Sequence, residues 1–271
     1  MAVAFLVVFL LIIIAAVIYV FLIMPRAAEG ADMDMLSCDF AHRGLWNEKY
    51  PENSLAAFEY AAREGYGIEL DIQLSKDKKV VVFHDTSLKR MCGVSRKVCD
   101  LTLAELKNLT LLGTEYSIPT LSEVLDLIDG RVPLLIELKG EDMDTTLCGI
   151  TAKLLDDYRG VFCIESFNPI MLSWFKSYRP RYARGQLVTN LMKERKNGSK
   201  LLSFCLSHML LNFLSRPDFI AINKKCQGKI GFKICTGIFR AKAFVWTVKR
   251  PQEYIDAHKS GKYAIFEKIK P

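Results

Sequence analysis

The 271-residue sequence predicts an α/β fold: a (β/α)8 barrel, or TIM barrel, with a small helical insertion, preceded by an N-terminal transmembrane helix. Strand and helix patterns alternate along the chain, about eight strands can be counted, and key strands carry polar residues on one face. An open doubly wound sheet is the alternative, but its strands are continuous apolar runs because helices cover both faces. The strand "IELDIQL" alternates acidic and apolar residues, as expected where a barrel strand reaches an active-site mouth.

The chain begins with an uncharged apolar run, Ala2–Ile23, long enough as a helix to cross a hydrocarbon core of roughly 30 Å. A secretory signal peptide is the alternative, but the run is too long, no basic segment precedes it, and "MPR" is a poor cleavage site. We therefore expect a transmembrane anchor over 1–24, a linker over 25–36 and the barrel domain over 37–271. With this one span the protein is expected to be single-pass, and the positive-inside tendency of Arg26 places the barrel domain in the cytoplasm.

The elements after the linker follow one another in a regular order. Strands are predicted at "CDFAHRG", "GIELDIQLS", "VVVFHD", "VPLLIELKG", "VFCIESFN", "YARGQLV", "DFIAINKK", "AFVWTVK" and "YAIFEKI". Helices are predicted at "SLAAFEYAAREG", "VCDLTLAELKNL", "TLSEVLDLIDG", "PIMLSWFKSY" and "PQEYIDAHKSG", and over residues 145–158 and 201–214. Thr120 or Ser122 starts the third of these helices. The stretch 86–119 exceeds a simple connecting loop, so we predict the helical insertion there, over the barrel mouth.

Charge and cysteine content narrow the class of protein. From Thr189 to the end there are 17 Lys and Arg against 5 Asp and Glu, within a total of 37 against 30. In a membrane-anchored protein such a basic region attracts anionic lipid headgroups. Nucleic acid is not expected as a partner, because the sequence has neither zinc-finger spacing nor a basic motif interleaved with aromatic residues. The eight cysteines form no CxxC pair and favour a reducing compartment.

Three acidic residues near predicted strand ends indicate a metal site. Glu69 and Asp71 are two apart in one strand, so they share a face with Cα atoms about 6.5–7 Å apart. Two carboxylates that close repel each other when partly removed from water, and a bound cation offsets the repulsion. In "PLLIELKG", Glu137 and Lys139 share a face in the same way. Three carboxylates make an oxygen-rich site suited to Mg²⁺ or Ca²⁺ rather than to zinc.

Two histidines close predicted strands beside these acids. We predict that His42 and His84 are a general acid and a general base, because histidine titrates near neutral pH. The sequence leaves open which of them plays which role. Arg43 and Lys139 add positive charge to the same mouth, which suits a phosphate group.

These residues carry a family resemblance. The stretch "AHRGLWNEKYPENSLAAFEYAAREGYGIELDIQLSKDKKVVVFHDTSLKRMCG" resembles the N-terminal half of glycerophosphodiester phosphodiesterases, with its HRG, PEN-S-AF, ELD-Q-S-D and V-FHD motifs in order. "ESFNP" and "WTV" match later, weaker elements, so the resemblance spans about 38–249. It implies a TIM barrel with a small insertion, a divalent metal, and cleavage of a phosphodiester between glycerol 3-phosphate and an alcohol.

The resemblance also implies roles for residues of this sequence. It makes His42 and His84 the acid–base pair; the metal ligands are Glu69, Asp71 and Glu137, and the phosphate contacts are Arg43 and Lys139. It adds Glu52 and Asn53 as supports of the first turn, and Trp246 as an apolar wall for the glycerol or the leaving group. Two segments depart from the family pattern. "AIFEKIKP" stands where a strand usually ends in a Thr-Asp pair, and "CQGKIGFKICTGIFR" matches the expected helix weakly.

The predicted function is metal-dependent hydrolysis of glycerophosphodiesters to glycerol 3-phosphate and an alcohol. A lysophospholipid is the alternative substrate, because it would account for both the anchor and the basic C-terminal third. The expected partners are thus a small-molecule or lipid phosphodiester and the membrane entered by the N-terminal helix. A non-catalytic membrane-anchored binding protein is a third hypothesis. It is disfavoured because both histidines and all three acids are present.

Overall fold

A computed structural model describes residues 1–26, 36–140, 142–194 and 199–271. Its strands are β1 Phe40–His42, β2 Gly67–Leu74, β3 Val80–Val82, β4 Leu134–Leu138, β5 Phe162–Ser166, β6 Arg184–Val188, β7 Phe219–Asn223, β8 Lys242–Val248 and β9 Tyr263–Phe266. Its helices are α1 Ala2–Ile23, α2 Leu55–Arg63, α3 Lys89–Cys92, α4 Leu103–Lys107, α5 Leu121–Ile128, α6 Thr146–Asp156, α7 Pro169–Tyr178, α8 Leu191–Glu194, α9 Lys200–Ser207, α10 Asn212–Ser215, α11 Ile230–Lys233 and α12 Pro251–Lys259. Most of the predicted linker, 25–36, lies outside the described residues.

Eight parallel strands close into a barrel, which confirms the predicted fold class. The strands follow one another around the barrel as β1, β2, β4, β5, β6, β7, β8 and β9, and β9 pairs with β1 to complete the circle. The remaining strand, β3, pairs antiparallel with β2 through Ile72 and Val82. The segment "VVVFHD" therefore returns along β2 as a hairpin and is not part of the barrel wall.

The apolar faces of the strands point outwards to the helices. Ile68, Leu70 and Ile72 of β2 are fully buried in one large cluster with residues of α2, α5 and α7. Residues 86–119 form a separate small unit, made of α3, a 3₁₀ turn at Val98–Asp100 and α4. This unit has a small apolar core of its own around Met91, Leu106 and the residues that follow β3.

Two helical segments differ from the sequence expectation. The pattern over 201–214 is not one helix, because it breaks between α9 and α10, where Met209 has a φ of 62°. The segment "CQGKIGFKICTGIFR" forms the single turn of α11, which continues into a π-helical stretch at Ile234–Ile238. Both breaks let short pieces of helix pack around the end of α1.

A capping box starts α5, at Thr120 rather than at Ser122. The Thr120 hydroxyl accepts a hydrogen bond from Glu123 N at 3.2 Å, and the Thr120 amide donates to the Glu123 carboxylate at 2.7 Å. We expect Thr120→Ala to destabilise the barrel by about 1 kcal/mol, which lowers Tm by about 2–4 °C in a domain of this size. Thermal melts followed by circular dichroism check this, with the exposed Ser122→Ala as the matched control. Equal shifts in both variants would contradict it.

The N-terminal helix α1 stands apart from the barrel over most of its length. Residues 1–18 are exposed, whereas Ile23 at its end is completely buried against the barrel helices. Among the described residues, α1 is the one helix long and apolar enough to cross a membrane. Its last turns pack on α10, so the helix is attached to the barrel through its C-terminal end.

Candidate active site

The strand register brings the predicted residues to one end of the barrel. His42 pairs with Glu69 across β1 and β2, and Asp71 pairs with Glu137 across β2 and β4. Since all these strands are parallel, their carboxyl ends form a common mouth. An open pocket of about 430 Å³ lies there. It is lined by His42, Arg43, Glu69, His84, Glu137, Lys139, Glu165, Phe167, Leu187, Trp246, Thr247 and Ile265.

Three carboxylates converge in this pocket. Glu69, Asp71 and Glu137 are all buried, and one oxygen of each lies within 4.8 Å of the others. Burial and the neighbouring Asp71 charge raise the pKa of Glu69 well above its usual range. Burial also raises the pKa of Glu137, to about 7, despite the adjacent Lys139. Without a compensating charge the cluster therefore resists full ionisation at neutral pH.

Two basic side chains contact these acids. The Lys139 ammonium lies 2.8 Å from Asp71 Oδ1 and 2.7 Å from Glu137 Oε1. The Arg43 guanidinium lies 2.8 Å from Glu52 Oε1 and 3.3 Å from Asp71 Oδ2. Burial opposes ionisation of Asp71, but the charges of Lys139, His84 and Arg43 outweigh it and lower the pKa of Asp71 well below its usual range. Asp71 is thus the fully charged member of the cluster.

The turn after β1 is shaped to aim backbone and side-chain donors at the acids. Arg43 and Gly44 have φ of 60° and 80°, and a Cβ on Gly44 would lie 2.9 Å from the Ala57 backbone, so only glycine fits there. In this conformation Arg43 N donates to Glu69 Oε2 at 2.9 Å. Asn53 N donates to Arg43 O at 2.9 Å, and Asn53 Nδ2 donates to Asp71 Oδ2 at 2.9 Å.

Both histidines line the pocket, and a carboxylate holds one ring nitrogen of each. His42 Nδ1 lies 2.8 Å from Glu267 Oε2, and His84 Nδ1 lies 2.7 Å from Asp85 Oδ1. The pKa values of Glu267 and Asp85 are each lowered to about 2, because hydrogen bonds from these histidines and from neighbouring basic residues outweigh burial. Both carboxylates are therefore ionised and accept the Nδ1 protons, which leaves each Nε2 as the unprotonated nitrogen; His42 Nε2 lies 4.0 Å from Glu69 Oε2. Burial lowers the pKa of both histidines below 6.5.

The comparison with protein families decides the class of this site. The model of the glycerophosphoryl diester phosphodiesterase family matches residues 42–266. The chain belongs to this family. It is therefore a phosphoric diester hydrolase, and the resemblance seen in its motifs is confirmed.

Individual relatives of this phosphodiesterase agree with the family match. A glycerophosphodiester phosphodiesterase of Caldanaerobacter subterraneus subsp. tengcongensis is 31% identical over 234 residues, which are 82% of this chain and 89% of the relative. A phosphodiesterase of Oleispira antarctica, solved with the product sn-glycerol-3-phosphate, is 26% identical with a TM-score of 0.68, covering 84% of this chain and 91% of that one. Human lysophospholipase D GDPD1 is 35% identical over 117 residues, 38% of this chain and 37% of the relative.

The sequence expectations missed four residues that contact or line the phosphodiesterase site, namely Asp85, Arg90, Glu165 and Glu267. Arg90 of the insertion bonds both Glu52, at 2.7 and 2.9 Å, and Asp85, at 2.7 and 3.0 Å. Glu267 holds His42, and its other oxygen lies 2.5 Å from Lys249 Nζ. Glu165 on β5 lines the pocket, and its Oε2 has no hydrogen-bond partner among the described residues. The motif "ESFNP" and the acid that ends "AIFE" were the available signals for Glu165 and Glu267.

Trp246 lies in the pocket wall opposite the acids. Its ring packs edge-to-face on Phe167 with centroids 5.7 Å apart, and its Nε1 donates to Ala221 O at 3.0 Å. The hydrogen bond and the aromatic contact hold the ring in place. The structure therefore brings together all ten residues singled out in the sequence: eight of them line the pocket or join the acidic cluster, and Glu52 and Asn53 support Arg43 and Asp71.

Proposed function

We propose that the protein hydrolyses glycerophosphodiesters to glycerol 3-phosphate and an alcohol with a divalent cation held by Glu69, Asp71 and Glu137. The observation that carries the proposal is the convergence of three buried carboxylates, with oxygens within 4.8 Å, between two histidines. The product complex of the Oleispira antarctica relative supports glycerol 3-phosphate as the product here.

The residues present fit a hard divalent cation. All three ligands are carboxylates, the donor type that Mg²⁺ and Ca²⁺ prefer. Burial, and after it repulsion by the neighbouring acids, raise the pKa values of Glu69 and Glu137, and a divalent charge would offset both effects. When bound, the cation would act as a Lewis acid and polarise a phosphoryl oxygen. The donor set suits either metal, so we propose Mg²⁺ or Ca²⁺.

His42 and His84 would move the protons of the reaction. Each is held by a carboxylate through Nδ1, so each can take or give a proton at Nε2. One histidine would remove a proton from the nucleophile, which is water or a neighbouring hydroxyl of the substrate. The other would protonate the departing alcohol oxygen. The lowered pKa values keep the base in its neutral form near pH 7.

The remaining pocket residues would bind and orient the substrate. Arg43 and Lys139 both face the pocket, and we propose that they balance the charge of the phosphate as well as that of the acids. Trp246 and Phe167 form an apolar wall, which suits the glycerol or the leaving group. Glu52 and Asn53 would keep Arg43 and Asp71 in place.

A lysophospholipid is the second candidate substrate. The exposed apolar helix α1 favours it, because a membrane-bound enzyme meets lipids directly, and the human relative carries the name lysophospholipase D. We propose a single membrane span over 1–24, the linker over 25–36, and the barrel over 37–271 with its insertion at 86–119. Arg26, which directly follows the span, favours a cytoplasmic barrel by the positive-inside tendency, and the basic excess after Thr189 favours contact with anionic lipid headgroups.

A substrate panel tests the activity and separates the two candidates. We expect the full-length protein to release glycerol 3-phosphate from glycerophosphocholine in Mg²⁺ or Ca²⁺, and to lose this activity in EDTA. If lysophospholipids are the main substrate, the same metal-dependent activity is higher on lysophosphatidylcholine micelles, where the product is lysophosphatidic acid. No turnover of either substrate in either metal would refute the proposed function.

A further inference from the structure

The end of α1 reaches the face of the barrel opposite the active site. Arg26 N donates to Pro217 O at 2.9 Å, and the Arg26 guanidinium donates to Pro180 O at 2.7 Å. The same guanidinium lies 3.5 Å from Asp218. Pro180 and Asp218 precede β6 and β7, so Arg26 lies at the amino ends of the strands, away from the mouth.

The turns of α1 that precede Arg26 run from the amino ends of the strands towards the mouth of the barrel. Ile23 O accepts a hydrogen bond from Asn212 Nδ2 at 3.0 Å, and Cys235 Sγ lies 3.3 Å from it. One turn earlier, the Tyr19 hydroxyl packs against Gly231, where an added Cβ would lie 3.0 Å from it. The chain from β7 to β8 passes Gly231 first and Cys235 later, so Gly231 is nearer the carboxyl ends of the strands. Tyr19 is therefore on the mouth side of Ile23.

The exposed part of α1 continues in the same direction. Burial begins at Tyr19, and Ala2–Ile18 have no cover from the barrel. Those residues extend about 25 Å as a helix, close to the thickness of a hydrocarbon core. A tyrosine at the first partly buried position matches the preference of this side chain for the membrane interface. The bilayer surface would therefore lie level with Tyr19 and next to the rim of the barrel.

Apolar side chains project from the rim on the same side. Leu191 N donates to Ser207 Oγ at 2.9 Å, so the end of α9 is level with the carboxyl end of β6 and its start extends beyond the rim. The rim surface consists of five exposed large apolar residues of α8, α9 and α11: Met192, Leu201, Leu202, Phe204 and Ile230. An exposed apolar set of this kind indicates a contact with a partner or a membrane.

The charges around the rim surface identify the partner. Near the rim residues, the sequence has Lys193 in α8, Lys200 in α9, and Lys225, Lys229 and Lys233 on either side of Ile230. Lys193, Lys200, Lys225 and Lys233 of this region are exposed. Lysines that flank apolar side chains are the pattern of an interfacial segment, in which apolar groups enter the bilayer and basic groups meet anionic headgroups.

We propose that the rim surface is a second membrane contact, which docks on anionic lipid and turns the mouth of the barrel towards the bilayer that α1 enters. The inference depends on the path of α1 and on the exposed residues, not on the chemistry of the site. It rests on the proposed function in one respect: a pocket that faces the bilayer would receive amphiphilic phosphodiesters directly from the membrane.

Lipid photocrosslinking tests the docking independently of activity. Full-length protein is reconstituted in vesicles of equal phosphatidylcholine and phosphatidylglycerol, the latter carrying an alkyne, with p-benzoylphenylalanine introduced separately at Phe204, Ile230 or Ile238. Ile230 and Ile238 are a matched pair, because they are 70% and 72% exposed at opposite ends of one helical segment. We expect lipid adducts at Phe204 and Ile230 that exceed those at Ile238 by about fivefold or more. Equal labelling at Ile230 and Ile238, or adducts at Phe204 with a second protein copy instead of lipid, would overturn the proposal.

Enzyme activity provides a second measurement. It distinguishes a wrong docking proposal from a wrong proposed function, because a membrane substrate and a soluble substrate are compared. We expect the double variant L201S/F204S to hydrolyse lysophosphatidylcholine in those vesicles several-fold more slowly, with unchanged turnover of soluble glycerophosphocholine. An unchanged rate in vesicles would count against docking while leaving the phosphodiesterase function in place. If the unaltered protein turns over neither substrate, the proposed function is refuted. The docking proposal is not, because the crosslinking result does not depend on turnover.

Discussion

Replacing His42 with alanine is expected to lower kcat by about 10²–10⁴-fold, which corresponds to about 3–5 kcal/mol of transition-state stabilisation. The reason is the position of its Nε2, which lies beside the acidic cluster, 4.0 Å from Glu69 Oε2, while Nδ1 donates to Glu267 at 2.8 Å. His84→Ala is expected to have an effect of the same order, since its Nδ1 is held by Asp85 in the same way. Steady-state release of glycerol 3-phosphate from glycerophosphocholine measures both effects.

His258→Ala is the control for these two variants. His258 bonds Asp39 at 2.9 Å, and Asp39 precedes β1, so this histidine is at the end of the barrel opposite the mouth. We expect its kcat to match that of the unaltered protein. Near-wild-type turnover by His42→Ala, with a normal melting temperature, would remove His42 from the mechanism. A collapse of Tm in that variant would instead indicate that the His42–Glu267 bond is needed for folding.

The acidic cluster was predictable because its signal is local. Glu69 and Asp71 share a face by the two-residue period of a strand, and Glu137 ends another apolar strand. The barrel closure then places Asp71 and Glu137 in direct register. His84 followed from the same reasoning, although β3 proved to be the returning arm of a hairpin rather than a barrel strand.

Glu267, which holds His42, and Arg90, which joins the insertion to Glu52, were not predictable in the same way. Glu267 reaches His42 across 225 positions of sequence, and only the closure of β9 on β1 brings them together. Arg90 reaches Glu52 across 38 positions. No periodic pattern in the insertion distinguishes this arginine from the other basic residues around it. Such contacts depend on the tertiary path of the chain, whereas strand periodicity reports only which residues share a face.

The departure at the last strand has a structural consequence that the sequence could not show. "AIFEKIKP" ends β9 with Glu267, and this acid accepts a hydrogen bond from His42 and lies 2.5 Å from Lys249 at the end of β8. The unexpected ending therefore supplies a carboxylate to the site. Burial lowers the pKa of His42 and outweighs the hydrogen bond to Glu267, which raises that pKa and holds the ring in a fixed orientation.

The second large effect is expected from Glu137→Gln, which removes one of the three proposed metal ligands. In the unaltered protein, Mg²⁺ or Ca²⁺ at 100 times its Kd should stabilise the fold by about 2.7 kcal/mol, provided that the unfolded chain does not bind it. The variant should lose most of this metal-dependent rise in Tm. It should also lose activity by about two orders of magnitude or more, because fewer ligands position the cation. Thermal melts in metal and in EDTA, read beside turnover, measure both effects.

The melt in EDTA separates a metal ligand from a merely structural acid. Glu137 has a pKa raised to about 7 by burial, so in metal-free protein it gains stability from protonation as the pH falls, and its neutral replacement should cost little. We therefore expect similar Tm values for Glu137→Gln and the unaltered protein in EDTA, and divergent values once metal is added. Glu59→Gln, whose carboxylate bonds Arg63 and Arg131 outside the barrel, should keep the full metal response. A variant that melts early in EDTA but still responds to metal would show that Glu137 stabilises the fold without binding the cation.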